Sequence, residues 1–217
     1  MICVSLSAGR WESVLNALRD VEMAEIRLDG FPTDASRLSE VFSSPRRLIA
    51  TCRPGSLDED ERTALLIAAI AAGASLVDIE LEAPAAGREK IIEKARACRC
   101  QVIVSYHNHE RTPSSAELQK VRASCFAAGA DIVKIACQVL SPSDCARILS
   151  LYADPEERFR GRLVAVGMGE MGILTRVAAP LLGAPFTYAS FAPGMETAEG
   201  QLDRETLARI FALMKHE

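Results

Sequence analysis

One lysine and one histidine stand where chemistry is expected. Lys134 breaks the apolar run "ADIVKIAC" (130–137), and His107 and His109 close another, "VIVSYHNHE" (102–110). The chain has five lysines, Lys90, Lys94, Lys120, Lys134 and Lys215, against twenty arginines, and the other four lie in polar, helix-like contexts. If 131–136 is a strand, Ile132, Lys134 and Ala136 share one face, Val133 and Ile135 the other. With the bulky pair packed outward on helices, Lys134 points inward. A charged lysine in an interior costs several kcal/mol unless it is paired or neutral. Two readings follow. Lys134 is a nucleophile toward a ketone or aldehyde, its amine activated by burial and neighbouring cations as such lysines are, or it is a structural ion-pair partner of Glu80 or Glu25. The first reading asks for a base. A Schiff base acidifies the neighbouring carbon, and histidine titrates in the right range to take that proton. His107 follows its apolar run directly and should reach the mouth of the fold. His109, further into the loop, is expected to face solvent or serve structure, and nothing recommends His216 at the tail.

Other polar residues fall at the ends of apolar runs. They are Ser5, the set Glu25, Arg27 and Asp29, then Arg53, and the set Asp78, Glu80 and Glu82. Arg176 follows the glycine-rich "GMGEMGILTR" (167–176). Guanidinium groups bind carboxylates through two parallel hydrogen bonds, so Arg27, Arg53 and Arg176 around one pocket would suit an anionic, oxygen-rich small molecule. "GMGEMG" could cradle a phosphate, but it matches no P-loop or dinucleotide fingerprint.

These residues need elements to hold them. Strands are expected at 2–6, 24–29, 47–52, 75–81, 101–106, 131–136, 162–167 and 185–190. Between them apolar residues recur at helical spacing, as with Trp11, Val14, Leu15 and Leu18. A helix over 58–72 opens on "DEDE" and stops at Gly73. Another over 114–128 is capped by Ser114 or Ser115 and stops at Gly129, and a last one over 203–215 opens on Asp203. Near-continuous apolar strands separated by helices imply a parallel sheet covered by helices. Eight such units fit an α/β fold of the (β/α)8, or TIM, barrel type, with an open doubly wound sheet as the alternative. One domain over 1–217 is expected. In a barrel, catalytic groups gather at the C-terminal ends of the strands, where the residues above fall.

Composition narrows the field. Hydrophobic residues make up 49% and charged residues 25%, at a net charge of −4, so the chain is globular and lacks the basic stripe of a nucleic-acid binder. No apolar run reaches membrane-spanning length, and no secretory leader is expected from "MICVSLSAGRWES". The seven cysteines, odd in number and without a C-x-x-C pair, are expected to be buried reduced thiols of a cytoplasmic protein.

Together the stretches "EIRLD" (25–29), "TCR" (51–53), "DIEL" (78–81), "VSYHN" (104–108), "ADIVKIA" (130–136), "MGEMGILTR" (168–176) and "TAEGQ" (197–201) resemble type I 3-dehydroquinate dehydratase of the shikimate pathway. The resemblance covers nearly the whole chain. It implies a (β/α)8 barrel, usually a homodimer, that converts 3-dehydroquinate to 3-dehydroshikimate with no metal or cofactor. By the match, Lys134 looks like the Schiff-base lysine and His107 like the general acid/base. Glu25, Arg27, Arg53 and Arg176 look like substrate-binding positions, with Ser5, Thr197 and Gln201 as further contacts. There are two departures. Many relatives carry Glu-Gly-Gly after the strand-3 arginine, and in some that glutamate orients the histidine. Here the segment is "RPGSLDEDE" (53–61), and Glu80 is the substitute expected on geometry. The family's Ala-Pro-Gly-Gln loop reads Ala198-Glu199-Gly200-Gln201, within a loop, 191–201, expected to act as a lid. Two other functions fit a Schiff-base barrel, a class I aldolase and a barrel that binds shikimate-type ligands without turnover. The first usually needs a phosphate site, and the second leaves the pairing of Lys134 with His107 unexplained.

Overall fold

The computed structural model describes residues 1–7, 9–32, 35–55, 57–153 and 158–214, so Lys215 and His216 lie outside the described residues. Strands β1 (Ile2–Leu6), β2 (Met23–Arg27), β3 (Arg47–Thr51), β4 (Leu76–Glu80), β5 (Gln101–Asn108), β6 (Ile132–Gln138), β7 (Leu163–Met168) and β8 (Thr187–Ser190) alternate with helices. The helices are α1 (Trp11–Ala17), α2 (Ala35–Phe42), α3 (Glu59–Ala71), α4 (Ala85–Ala97), α5 (Ser115–Ala127), α6 (Pro142–Leu149), α7 (Ile173–Leu181) and α8 (Arg204–Met214). The sheet order is β7-β6-β5-β4-β3-β2-β1-β8. A doubly wound sheet would reverse its order at a switch point. Here chain neighbours stay sheet neighbours from β1 to β7, and β8 returns beside β1, which is the order of a (β/α)8 barrel. None of the described helices is long and apolar enough to cross a membrane.

The chain divides into two compact units, 4–103 and 1–3 with 104–217. In the first, β2, β3 and β4 pair in parallel, with Arg27 opposite Thr51 and Thr51 opposite Asp78. That register lines up the polar strand ends. Trp11 stacks on Phe31 at 4.6 Å and donates to the Pro32 carbonyl, which pins α1 to the chain after β2. The acidic start of α3 is a capping box: the Asp58 carboxylate accepts from the Glu61 N–H, and the Glu61 side chain accepts from the Asp58 N–H. Gly73 ends this helix at φ +112°, where a Cβ would stand 2.8 Å from the Phe42 carbonyl oxygen.

In the second unit, β6 and β7 pair in parallel with Lys134 opposite Val164. Ser114, rather than Ser115, caps α5 in a second capping box with Glu117. The glycine-rich turn after β7 is explained by packing. A Cβ on Gly172 would lie 2.6 Å from the backbone of Gly167, and one on Gly200 would lie 2.1 Å from the Gly169 carbonyl oxygen. The Gly169 N–H donates to the Glu199 carbonyl at 3.1 Å, so the turn after β7 and the end of the 191–201 loop are joined. Gly200→Ala is therefore expected to lower stability by roughly 2–4 kcal/mol, combining overpacking with a φ of +73°. Chemical denaturation would measure it, and a loss under about 0.5 kcal/mol would show that the two segments separate freely.

All seven cysteines are free, and six are buried, with Cys98 exposed. Burial pushes the Cys52 thiol up to about 11 and Cys137 up to about 12, which leaves both unreactive at neutral pH.

Candidate active site

In the unit of 104–217, Lys134 is only 7% exposed although it is a lysine in mid-strand. Its Nζ stands 4.3 Å from the centroid of the Tyr188 ring on β8. Strands β6 and β8 are not neighbours in the sheet. Alternate strands of a barrel fill the same interior layer, so this contact is what two inward-facing side chains should make. The alternation argument for Lys134 therefore holds. Tyr188 is braced by Phe186, with ring centroids 5.5 Å apart and planes at 80°.

His107 is half-buried, and His109 is exposed, as its place further into the loop predicted. Strand β5 runs two residues beyond its expected end, so His107 lies within the strand rather than after it. The two imidazoles stack with centroids 6.2 Å apart. Asn108 turns the chain away, its Oδ1 accepting from the N–H groups of Glu110 and Arg111.

Arg176 lies on α7 and is 3% exposed. Its Nε has no hydrogen-bond acceptor, and among the described residues no carboxylate pairs with the guanidinium. Burial pulls its pKa down to about 10, which still leaves it charged at neutral pH. A buried charge without a counter-ion is unfavourable. The arrangement suits an anionic group supplied from outside the protein. Thr197 and Gln201 come together, with the buried Gln201 Oε1 accepting from the Thr197 N–H at 2.8 Å and its hydroxyl at 3.2 Å.

In the unit of 4–103, the polar strand ends form one network. Glu25 is buried, and its two carboxylate oxygens accept from the hydroxyls of Ser5 and Thr51, each at 3.0 Å. Arg53 makes a two-pronged pair with Asp78, at 3.2 and 2.8 Å, and lies 3.5 Å from Glu80. Burial alone would lower the Arg53 pKa, but Asp78 first, then Glu25 and Glu80, outweigh it and hold the group above the ordinary arginine value. The other Glu80 oxygen lies 3.4 Å from Arg62, which also donates to the Cys52 carbonyl. Asp29 was expected to continue β2 beside Glu25 and Arg27. Instead Leu28–Gly30 forms a 3-10 turn. The turn lets one carboxylate take the Arg27 guanidinium at 3.1 and 2.9 Å and the Arg53 N–H at 2.9 Å.

Sequence reasoning missed Tyr188, Thr51 and Arg62. Thr51 was within reach of the alternation rule, because it follows Ile49 on the β3 face opposite Glu25 and Arg27. Tyr188 and Arg62 were not, since each meets its partner only through tertiary packing.

A family model described as type I 3-dehydroquinase matches residues 2–217. Among curated relatives, the 3-dehydroquinate dehydratase of Methanothermobacter thermautotrophicus is 36% identical over 224 residues, covering 99% of this chain and 92% of its own. That of Dehalococcoides mccartyi strain CBDB1 is 33% identical over 216 residues, covering 97% and 94%. Among solved structures, the 3-dehydroquinate dehydratase of Aquifex aeolicus superposes with a TM-score of 0.81 at 25% identity over all of both chains. The type I enzyme of Clostridium difficile, solved with covalently modified comenic acid, reaches 0.85 at 21% identity, over 98% of this chain and 91% of its own, a likeness that speaks for the fold. With a family model spanning the chain and relatives above 30% identity over nearly its full length, the chain belongs to the type I 3-dehydroquinase family.

Proposed function

We propose that the protein is a 3-dehydroquinate dehydratase that works through a Schiff base on Lys134, with His107 as general acid and base. The observation that carries this reading is a buried lysine amine on the inward face of β6, in a chain of this family, with a half-buried histidine on the neighbouring strand β5. Lys134 Nζ attacks the C3 carbonyl of 3-dehydroquinate, and the carbinolamine loses water to give a protonated imine. His107 takes a proton from C2, and the C–H electron pair forms the enamine. The nitrogen pair then returns to the C=N bond as the C1–O bond breaks, and the leaving hydroxyl takes the proton from His107. Hydrolysis of the conjugated imine frees 3-dehydroshikimate. One histidine serves both steps because they occur in sequence on adjacent carbons.

Arg176 binds the C1 carboxylate and fixes the orientation of the ring. Ser5, Glu25, Arg27, Arg53, Thr197 and Gln201 are assigned to the hydroxyl-bearing remainder of the substrate, and Glu80 to orienting His107. The working form is taken as a cytoplasmic homodimer.

The test is to incubate the protein with 3-dehydroquinate, follow the absorbance of the conjugated product, and reduce with borohydride. One ligand per chain on Lys134, found by mass spectrometry, is expected together with turnover. Labelling of Lys94 or Lys120 instead, or no turnover, would sink the proposal.

Arg176 gives a prediction with two opposite signs. Arg176→Met is expected to lower kcat/KM for 3-dehydroquinate by about 10²-fold or more, since a charge-assisted pair to the carboxylate is lost. The same change is expected to raise Tm, because a buried charge that no described carboxylate pairs gives way to an apolar side chain. Thermal melts and steady-state kinetics on one preparation decide it. A lower Tm would mean that the guanidinium is compensated in the unliganded protein.

A further inference from the structure

We propose that Tyr188 is a further catalytic residue, the face of its ring holding the positive charge of the protonated imine on Lys134. This rests on the Schiff-base reading above. The Lys134 Nζ lies 4.3 Å from the ring centroid, within the range where a cation is attracted by the negative face of an aromatic ring. Tyr188 is 4% exposed, and the fully buried Phe186 meets it nearly at right angles, so the ring is held in place and water is kept from screening it. Such contacts grow stronger when desolvated.

Condensation leaves the nitrogen on the same lysine tether. The ring that faces the amine therefore faces the imine nitrogen. Along the reaction the charge on that nitrogen is not constant. The imine formed from 3-dehydroquinate is a cation, the enamine is neutral, and the charge returns as the nitrogen pair closes the C=N bond and the C1–O bond breaks. A ring face favours the two cationic states and offers nothing to the neutral one. Tyr188 thus helps keep the proton on the imine and lowers the barrier to loss of the C1 hydroxyl. A tyrosine that only filled space would show no such dependence on charge.

The test uses cyanoborohydride, which at neutral pH reduces a protonated imine and leaves the neutral imine and the ketone largely untouched. The full chain is saturated with 3-dehydroshikimate, and the rate of trapping on Lys134 is read by mass spectrometry. Tyr188→Phe keeps the π face and is expected to trap within about twofold of the unaltered protein. Placing 4-fluoro-, 3,5-difluoro- and 3,4,5-trifluorophenylalanine at position 188 weakens the ring's negative face stepwise with little change of size. Trapping is expected to fall in the same order, by about 2- to 30-fold across the series. The pH at which trapping is half lost should move lower in parallel. Tyr188→Leu should match or exceed the trifluoro ring, while the fluorinated series keeps the question decidable if the leucine variant folds poorly. A flat fluorine series overturns the proposal. So does a Tyr188→Phe variant as impaired as Tyr188→Leu, which would assign the role to the hydroxyl. If Lys134 is not labelled even in the unaltered protein, the Schiff-base reading itself falls. Labelling with a flat series removes only the role of Tyr188.

Discussion

Lys134→Ala is expected to abolish borohydride labelling and to lower kcat by on the order of 10⁵- to 10⁶-fold, the scale on which loss of a covalent nucleophile is felt elsewhere. No other described lysine can take over. Lys90 and Lys94 are on α4 and Lys120 is on α5, on the helical layer rather than on a strand. Without the imine there is no electron sink next to C2, and the proton there remains that of an ordinary ketone. The loss should appear in kcat rather than KM, because the carboxylate and hydroxyl contacts assigned to substrate binding are untouched. Lys134→Met provides the folding control, since an unbranched apolar chain of similar length suits a buried position better than a cavity does. Both variants should be equally inactive while the methionine form keeps its Tm. Residual activity within about 100-fold of the parent in either would mean that the imine is not on the reaction path.

The second large effect separates imine formation from dehydration. His107→Ala is expected to retain trapping of product by borohydride yet lose dehydration by roughly 10³-fold or more, as general acid–base catalysis contributes about 10²–10⁴-fold per step and the proposed mechanism assigns this residue two. His109→Ala is expected to stay within about threefold, because its ring, stacked on His107, is exposed. Deuterium at C2 of the substrate adds a check: solvent exchange at that carbon should stop with His107→Ala and persist with His109→Ala. Equal losses from the two would assign the proton transfers to the pair rather than to His107.

How much of this was legible in the sequence depended on the range of the interactions involved. The strands were readable because they are near-continuous apolar runs, and Lys134 was readable because strand alternation is local and rigid. The ends were less so. Strand β2 stops at Arg27 because the Asp29 carboxylate draws Arg27 and the Arg53 backbone to itself, and Arg53 is 24 residues away in the chain. The cap of α5 was visible to within one residue, Ser114 or Ser115, because a cap is local, whereas α3 was legible only by its acidic start and the capping role of Asp58 was not. Contacts between distant residues were not visible. Tyr188 stands 54 positions from Lys134, and nothing in "PFTYAS" marks it off from ordinary core. That no described carboxylate meets Arg176 is equally hidden, because a sequence lists charges without saying which of them meet. The glycines of "GMGEMG" suggested a phosphate cradle by composition, and their packing against Val139, Gln138 and Gly200 gives them a different reason to be there.

The contrast between Arg53 and Arg176 bears on inhibitor chemistry. Both are nearly buried guanidiniums, yet one already grips a carboxylate of the protein and the other grips none among the described residues. An acidic substituent aimed at Arg53 has to compete with Asp78, so exchanging it for a neutral isostere should change potency little. An acid aimed at Arg176 supplies a counter-ion that none of the described residues provides, and its neutral isostere should lose most of the binding. Matched acid and amide pairs built on a cyclohexane ring would therefore report which vector of the molecule each arginine reads. They would also direct synthetic effort toward keeping one anionic group and dispensing with a second.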